Sequence, residues 1–197
     1  MKPVSWLAVM VWLGGYSVAE ELPLTDLSLY QVESVWTNDA GEKIKLPRLR
    51  GQVQVVTMFF ASCAYACPAN VNELKKIEAA LPEPLRSRTL FVLVTFDAER
   101  DTPAALRLYR QRQDLDPRRW TLLRGQPDDV QELAALLGVR YKQDARGQFA
   151  HSNLITVLDA EGEIVHQLSG MKQDIPSAIK AIEKAAARPH PSQPPKP

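Results

Sequence analysis

Residues 52–68 read Gln-Val-Gln-Val-Val-Thr-Met-Phe-Phe-Ala-Ser-Cys-Ala-Tyr-Ala-Cys-Pro, an alternating run that turns wholly apolar and then meets two cysteines and a proline. The apolar part has the length and content of a central strand covered on both faces. Beyond Pro68, Val71, Leu74, Ile77 and Leu81 recur at helical spacing until Pro82 and Pro84 stop the run. The stretch therefore predicts strand, loop and helix, with Cys63 and Cys67 at the junction. Two thiols four residues apart at a helix start share about one face of its first turn, close enough for a disulfide or for a shared soft metal ion. The helix N-terminus favours thiolate there. An inert disulfide is the plainer reading for an exported chain. So short a loop, however, removes little entropy from the unfolded chain and would stabilise weakly.

Working outward, Thr89 to Phe96 reads as a second buried strand, and Thr102-Pro103 as an N-cap followed by proline at the first helical position, opening a helix that carries Ala105, Leu108 and Tyr109. Trp120 to Leu123 is a short strand. Pro127 opens another helix, with Asp128 and Asp129 in its first turn, Val130, Leu133 and Leu137 on one face, and Gly138 after its end. Asn153 to Leu158 and Ile164 to Leu168 form a hairpin around Asp159-Ala160-Glu161-Gly162, and Ile175, Ile179 and Ile182 mark a last helix. On the N-terminal side, Gln31 to Trp36 and Glu42 to Leu46 flank the turn signal Asn38-Asp39-Ala40-Gly41 as a small hairpin. The order is α/β: three layers, a central mixed sheet flanked by helices, with an N-terminal β-hairpin. This is the logic of a thioredoxin-like fold with an inserted helical unit.

The whole chain has 197 residues, 24 Lys+Arg against 23 Asp+Glu, and 45% apolar residues. A formal charge of +1 gives no global pull toward nucleic acid, and the apolar content excludes a disordered charged tail. Residues 1–19 have the pattern of a signal peptide: Lys2, an apolar run from Val4 to Val18, then Ser17 and Ala19 at cleavage-site spacing. An uncleaved anchor through residues 4–19 is the other reading, although the run is short against the ~20 residues of a membrane span. No cysteine lies near the cut, so a lipoprotein anchor is not expected. Residues 20–188 then make one domain, and residues 189–197, with five prolines in nine positions, a disordered tail. The expected location is outside the cytoplasm, periplasmic or membrane-anchored facing the periplasm.

Two thiolates are too few for structural zinc, so a metal site must borrow a donor from elsewhere. Of the three histidines, His190 lies in the proline tail and His166 inside a hairpin strand, where a solvent-facing ring is the plain reading. His151 begins the Asn153 to Leu158 strand, which in a thioredoxin-like sheet starts beside the cysteine loop. A lone histidine is more often structural than a ligand; the topology favours ligation here. Two thiolates and one imidazole suit copper, as Cu(I) or Cu(II).

Cys63-x-x-x-Cys67-Pro68 after an apolar strand, Asp97-Ala98-Glu99-Arg100-Asp101-Thr102-Pro103 after the next, and His151-Ser152 before the late strand together resemble the Sco (SenC-type) family, from about Leu27 to Ala186. The resemblance implies a thioredoxin-like fold, copper held by Cys63, Cys67 and His151, and delivery of copper to the dinuclear copper site of cytochrome c oxidase. It also makes Asp97 a group behind the ligands; its other reading is a loop carboxylate pairing Arg100. The chain departs from the family pattern at Ala61, where threonine is usual, at Ala64-Tyr65-Ala66 in place of Pro-Asp-Val or similar, and at Ala98 in place of proline. These departures change the surroundings of the sulfurs, hence affinity, potential and partner docking.

A rival reading is an exported thiol-disulfide oxidoreductase in which Cys63 attacks a partner's disulfide and Cys67 resolves the mixed disulfide. The three-residue spacing and His151-Ser152-Asn153, where redox enzymes of this fold keep a proline, speak against it. A binding module docking through Arg107, Arg110, Arg112, Arg118 and Arg119 is weaker still, because Glu99, Asp101, Asp114 and Asp116 dilute that stretch. With no heptads and no long exposed apolar segment, a monomer is the default.

Overall fold

The computed structural model describes residues 23–63, 66–170 and 174–188. The signal-peptide, anchor and tail readings, together with Tyr65 and His190, lie outside the described residues. The strands are β1 (Val35–Asn38), β2 (Lys43–Lys45), β3 (Val53–Phe59), β4 (Thr89–Thr95), β5 (Trp120–Arg124), β6 (Tyr141–Gln143), β7 (Phe149–His151), β8 (Leu154–Leu158) and β9 (Ile164–Ser169). The helices are α1 (Ala66–Ala80), α2 (Glu83–Arg86), α3 (Pro103–Gln113), α4 (Pro127–Leu136) and α5 (Ile175–Ala187).

Seven strands form one sheet in the order β2-β1-β5-β4-β3-β8-β9. β3, β4 and β5 run parallel in its centre, while β1 and β8 join antiparallel on either side. Every residue of β3 and β4 is buried, as continuous apolar runs flanked on both faces require. Phe59 packs on Tyr109 of α3, whereas Val56 and Val92 meet Leu133 of α4 together with Tyr30 and Leu46. Side chains three apart on a strand point to opposite faces, so α3 and α4 cover opposite sides of the sheet. α5 packs against α1 and β8, burying Ala178, Ala181, Ile182 and Ala185. Among the described residues no helix is long and apolar enough to cross a membrane.

The predicted elements are present, including the N-terminal hairpin and the Thr102 cap, whose Oγ1 accepts from the Ala105 amide at 3.3 Å. Three expectations change. In α3 the core-facing residues are Leu106 and Tyr109; Leu108 is exposed, because a helix places 106 and 109, not 108, on one face. The first strand starts at Val35, with Leu29–Gln31 forming a 3-10 turn capped by Ser28. Tyr141–Gln143 and Phe149–His151 form a separate two-stranded sheet, so His151 closes β7 and does not open β8.

Candidate metal centre

The sheet register assembles the site. Phe59 pairs with Thr95 at the ends of parallel β3 and β4, so the segments that follow, 60–63 and 96–102, start side by side. β8 runs antiparallel to β3 with Ile155 opposite Thr57, which brings the segment before β8 to the same edge. Residues 84 positions apart meet there: Cys67 Sγ lies 3.6 Å from His151 Nε2.

The two cysteines are not joined in a disulfide in this structure. Cys67 is the second residue of α1 and 1% exposed; Cys63 is partly exposed in the loop. The Cys67 amide, one of the helix's unpaired first-turn donors, donates to Cys63 Sγ at 3.4 Å, so the first sulfur caps the helix that carries the second. Burial pushes the Cys67 thiol well above its ordinary range, against a hydrogen bond from the Phe60 backbone. The helix N-terminus was expected to favour thiolate; for Cys67 desolvation outweighs it.

The geometry around His151 points its Nε2 lone pair at the sulfur. Nδ1 sits 3.2 Å from the Ser152 carbonyl, an acceptor only, so the proton resides on Nδ1 and Nε2 is left to accept. The ring packs on Phe96 at 5.1 Å and edge-on to Phe60 at 6.1 Å. Tyr141 and Phe149 of the small hairpin stack on Phe96 in turn, at 4.7 and 6.0 Å. Asn70, one turn beyond Cys67, donates to Asn153 Oδ1 at 3.0 Å and ties α1 to the chain just after the histidine. The aromatic packing and this amide link draw on residues far apart in sequence, and sequence reasoning missed both.

Asp97 is 3% exposed and pairs with Arg100, which also donates to the Gly147 carbonyl and lies 6.0 Å from the Phe149 ring. Its carboxylate thus anchors the hairpin that bears His151, through the arginine. Asp101, which sequence reasoning did not single out, is the acid bonded to the cysteine loop. It is 2% exposed and accepts from the Ala61 amide at 2.9 Å and from the Thr95 hydroxyl. The only sequence signal was its place just before the Thr102 cap. At Ala61 it is the backbone that is held, so the absent threonine side chain leaves this anchor intact.

The remaining candidates are structural. His166 Nε2 is 3.4 Å from Ser177 Oγ of α5 and only partly exposed. Arg110 pairs with Asp39, Arg119 with Glu78 and Asp116, and Arg118 with Asp116, so the basic stretch is largely spent on internal pairs. Asp116 is held at a pKa of about 2 by its hydrogen bonds from Arg118.

Among the described residues no three of His, Cys, Asp and Glu stand ready as a complete metal cluster. Two donors do. Sulfur and nitrogen on one first-row ion, at bond lengths of about 2.3 and 2.0 Å, lie roughly 3.5–3.7 Å apart for tetrahedral to trigonal angles. The observed 3.6 Å falls in that range. Cys63 Sγ accepts from the adjoining Cys67 amide.

The SCO1/SenC family model matches residues 29–187, which include both cysteines and His151. A protein of Stutzerimonas stutzeri, whose given name marks it as copper-binding, is 25% identical over 138 residues, 68% of this chain; the match spans 65% of that protein's length. The copper-bound structure of Bradyrhizobium japonicum ScoI superposes with a TM-score of 0.66 at 21% identity, covering 77% of this chain and 96% of that one. BsSco, described as a member of the Sco family of cytochrome c oxidase assembly proteins with a disulfide switch, gives 0.68 at 18% identity, covering 79% and 92%. At these identities the superpositions establish the thioredoxin-like Sco fold. With the family model spanning both the fold and the cysteine–histidine edge, the chain belongs to the SCO1/SenC family.

Proposed function

We propose that this chain is an exported metallochaperone that takes copper as its cargo, holds it through Cys63, Cys67 and His151, and delivers it to the copper site of a respiratory oxidase. The observation that carries the reading is the approach of Cys67 Sγ to His151 Nε2 at 3.6 Å across 84 residues. Two thiolates and a neutral imidazole form a donor set soft enough for Cu(I) and able to hold Cu(II). Support comes from the copper-binding name of the Stutzerimonas relative and from the copper bound to B. japonicum ScoI. Burial of Cys67 suits a ligand more than a nucleophile: its thiol keeps its proton until a metal ion displaces it, which couples loading to proton release. The oxidase as recipient follows the assembly role stated for BsSco. The export reading rests on the leader pattern of residues 1–19, and the chain acts as a monomer, either released or held by residues 4–19.

One observation favours a second activity at the same sulfurs. Cys63 is partly exposed while Cys67 is buried, the division of labour of an attacking and a resolving thiol, and BsSco is described with a disulfide switch. Only the dithiol takes copper, so oxidation to the disulfide would gate loading.

The test is an anaerobic copper titration of the reduced mature protein, with visible absorption for Cu(II), beside His151→Ala and Cys63→Ser/Cys67→Ser. One tightly bound equivalent is expected, with a sulfur-to-copper absorption that weakens in His151→Ala and vanishes in the double-serine variant. Binding no tighter than the double-serine variant, alongside rapid exchange with disulfide substrates, would replace the chaperone with the oxidoreductase.

A further inference from the structure

Two side-chain contacts cross the gap between the start of α1 and the chain that joins β7 to β8. Cys67 Sγ lies 3.6 Å from His151 Nε2, and Asn70 Nδ2 donates to Asn153 Oδ1 at 3.0 Å. Residues 67 and 70 are three apart on a helix and share a face. On the other side 151 and 153 are two apart, and the residue between them is engaged elsewhere: Ser152 Oγ accepts from the Arg140 amide at 3.0 Å. The contacts are therefore successive rungs between the same two pieces of chain, one made of candidate ligands and the other of amides.

The amide rung is an expensive one for its place in the fold. Asn70 is 3% exposed on the buried face of α1, with Cys67, Val71, Leu74 and Ile77. Leucine is a better helix former and would fill that face with no polar group to satisfy. Moreover, Asn70 Oδ1 has no hydrogen-bond partner among the described residues, so only half of the amide is used. A buried polar group held on such terms fixes geometry more than it adds stability. There is a geometry here to fix. The rings that pack on His151, those of Phe60 and Phe96, follow β3 and β4 and hold the imidazole to the sheet edge; neither belongs to α1, which carries Cys67.

We propose that Asn70 and Asn153 are positioning residues that act as a clasp: they hold the start of α1 at the distance from His151 at which sulfur and imidazole can share one copper ion, and so keep the histidine in the donor set. This deepens, and rests on, the reading of Cys67 and His151 as copper ligands. Neither amide touches the ion. The effect is selective for oxidation state, because Cu(I) is soft and is held by thiolates, whereas Cu(II) draws on the imidazole as well. Loss of the clasp loosens Cu(II), leaves Cu(I) nearly as it was, and raises the potential of the bound copper.

Asn70→Leu removes the amide at similar volume, and Asn153→Ala removes its acceptor. These two, their double variant, His151→Ala and Cys63→Ser/Cys67→Ser are compared with wild type by anaerobic titration with Cu(I) against a chromophoric chelator, and with Cu(II) followed by visible absorption. The metal-free proteins are melted in parallel, and the alkylation rate of Cys67 is measured in a Cys63→Ser background. Asn70→Leu is expected to bind Cu(II) about tenfold more weakly, within the ~10–100-fold range for groups behind metal ligands, while its Cu(I) affinity stays close to wild type. A tenfold selective loss raises the copper potential by about 59 mV. The sulfur-to-copper band moves toward that of His151→Ala, and the metal-free protein alkylates faster at Cys67 because the start of α1 is no longer held against the histidine. Since the two amides act as a pair, the double variant loses no more than either single one. Wild-type Cu(II) affinity, equal loss of both oxidation states, additive losses in the double variant, or a loss that merely tracks a lowered melting temperature would overturn the proposal. If wild type itself binds no better than the double-serine variant, the copper reading falls and takes this proposal with it, a result distinct from a silent Asn70→Leu.

Discussion

Where β3 begins, most of the polar groups that go inside are bonded to one another; where β3 ends, several are not. At the first end Tyr30 donates to Gln54, whose Nε2 donates to the carbonyls of Leu49 and Gln52 at 2.8 and 2.6 Å. Nearby, Asp159 accepts the Glu161 and Glu163 amides, each at 3.0 Å, and Arg188 at 2.7 Å. Gly162, at φ +80°, lets this turn lie flat on the Tyr30 ring, which a Cβ would meet at 2.9 Å. At the other end Tyr109 Oη and Asn70 Oδ1 lack partners among the described residues, and the Cys67 thiol is buried with its pKa raised. One sheet thus carries a largely saturated end and one where an unpaired hydroxyl and amide oxygen lie near a buried thiol. Satisfied buried polar groups specify and stabilise a fold, whereas unsatisfied ones are tolerated where a ligand will complete them.

The sharpest way to separate the two ends is to damage the saturated one and watch the other. Asp159→Ala removes the acceptor of two turn amides and of Arg188, and is expected to cost about 2–3 kcal/mol of stability. Denaturant unfolding measures that loss, and copper affinity should stay within error of wild type. A parallel drop in copper affinity would show that the ends are coupled and that the division is false.

Asp101 tests the comparison from the site's side. Asp101→Ala frees the Ala61 amide and the Thr95 hydroxyl inside the protein, at a cost of about 1–3 kcal/mol. Because Ala61 leads into Cys63, copper affinity should fall as well. Asp101→Asn keeps an acceptor for the amide and should restore most of both. Equal stability loss in the two variants, with copper binding untouched in each, would make Asp101 an anchor of the fold alone.

Much of this division was legible in the sequence and part of it was not. The strand–loop–helix around Cys63 and Cys67 could be read because β3 and α1 each carry an uninterrupted pattern of their own period. The approach of His151 could be anticipated from strand order, although its own strand could not: β6 and β7 have three residues each, too short to show alternation, and their partners are set by packing on Phe60 and Phe96. Asp97 and Asp101 look alike in sequence. Which of them reaches the cysteine loop is decided by the turn in which the Asp101 amide donates to the Asp97 carbonyl at 2.9 Å. The unpaired state of Tyr109 left no mark in the sequence, because an orphan is defined by what fails to arrive beside it.

The two tyrosines buried among the described residues give a smaller effect with opposite signs. Tyr30→Phe strips Gln54 Oε1 of its donor and should destabilise the protein by about 1 kcal/mol. Tyr109→Phe removes a hydroxyl that has no partner to lose, so the metal-free protein should hold its stability or gain. Thermal melts of the two variants under identical conditions decide it. If both fall equally, Tyr109 has a partner in the empty protein and the contrast between the ends disappears.

The smallest predicted effect lies in the pH dependence of Asp101. Burial raises its folded pKa above the usual carboxylate range; the hydrogen bonds from Thr95 and Ala61 oppose that rise without cancelling it. Between the ordinary value of about 3.9 and the raised one, the folded chain keeps a proton that the unfolded chain gives up. Stability contributed by this group is therefore present below pH 4 and lost as pH rises through the window. Asp101→Asn imitates the protonated acid and has no proton to lose. Its stability relative to wild type should improve from acid toward neutral pH and level off above the folded pKa. Parallel curves for the two proteins would mean that Asp101 ionises as freely folded as unfolded, and that the interior beneath the cysteine loop is wetter than its burial implies.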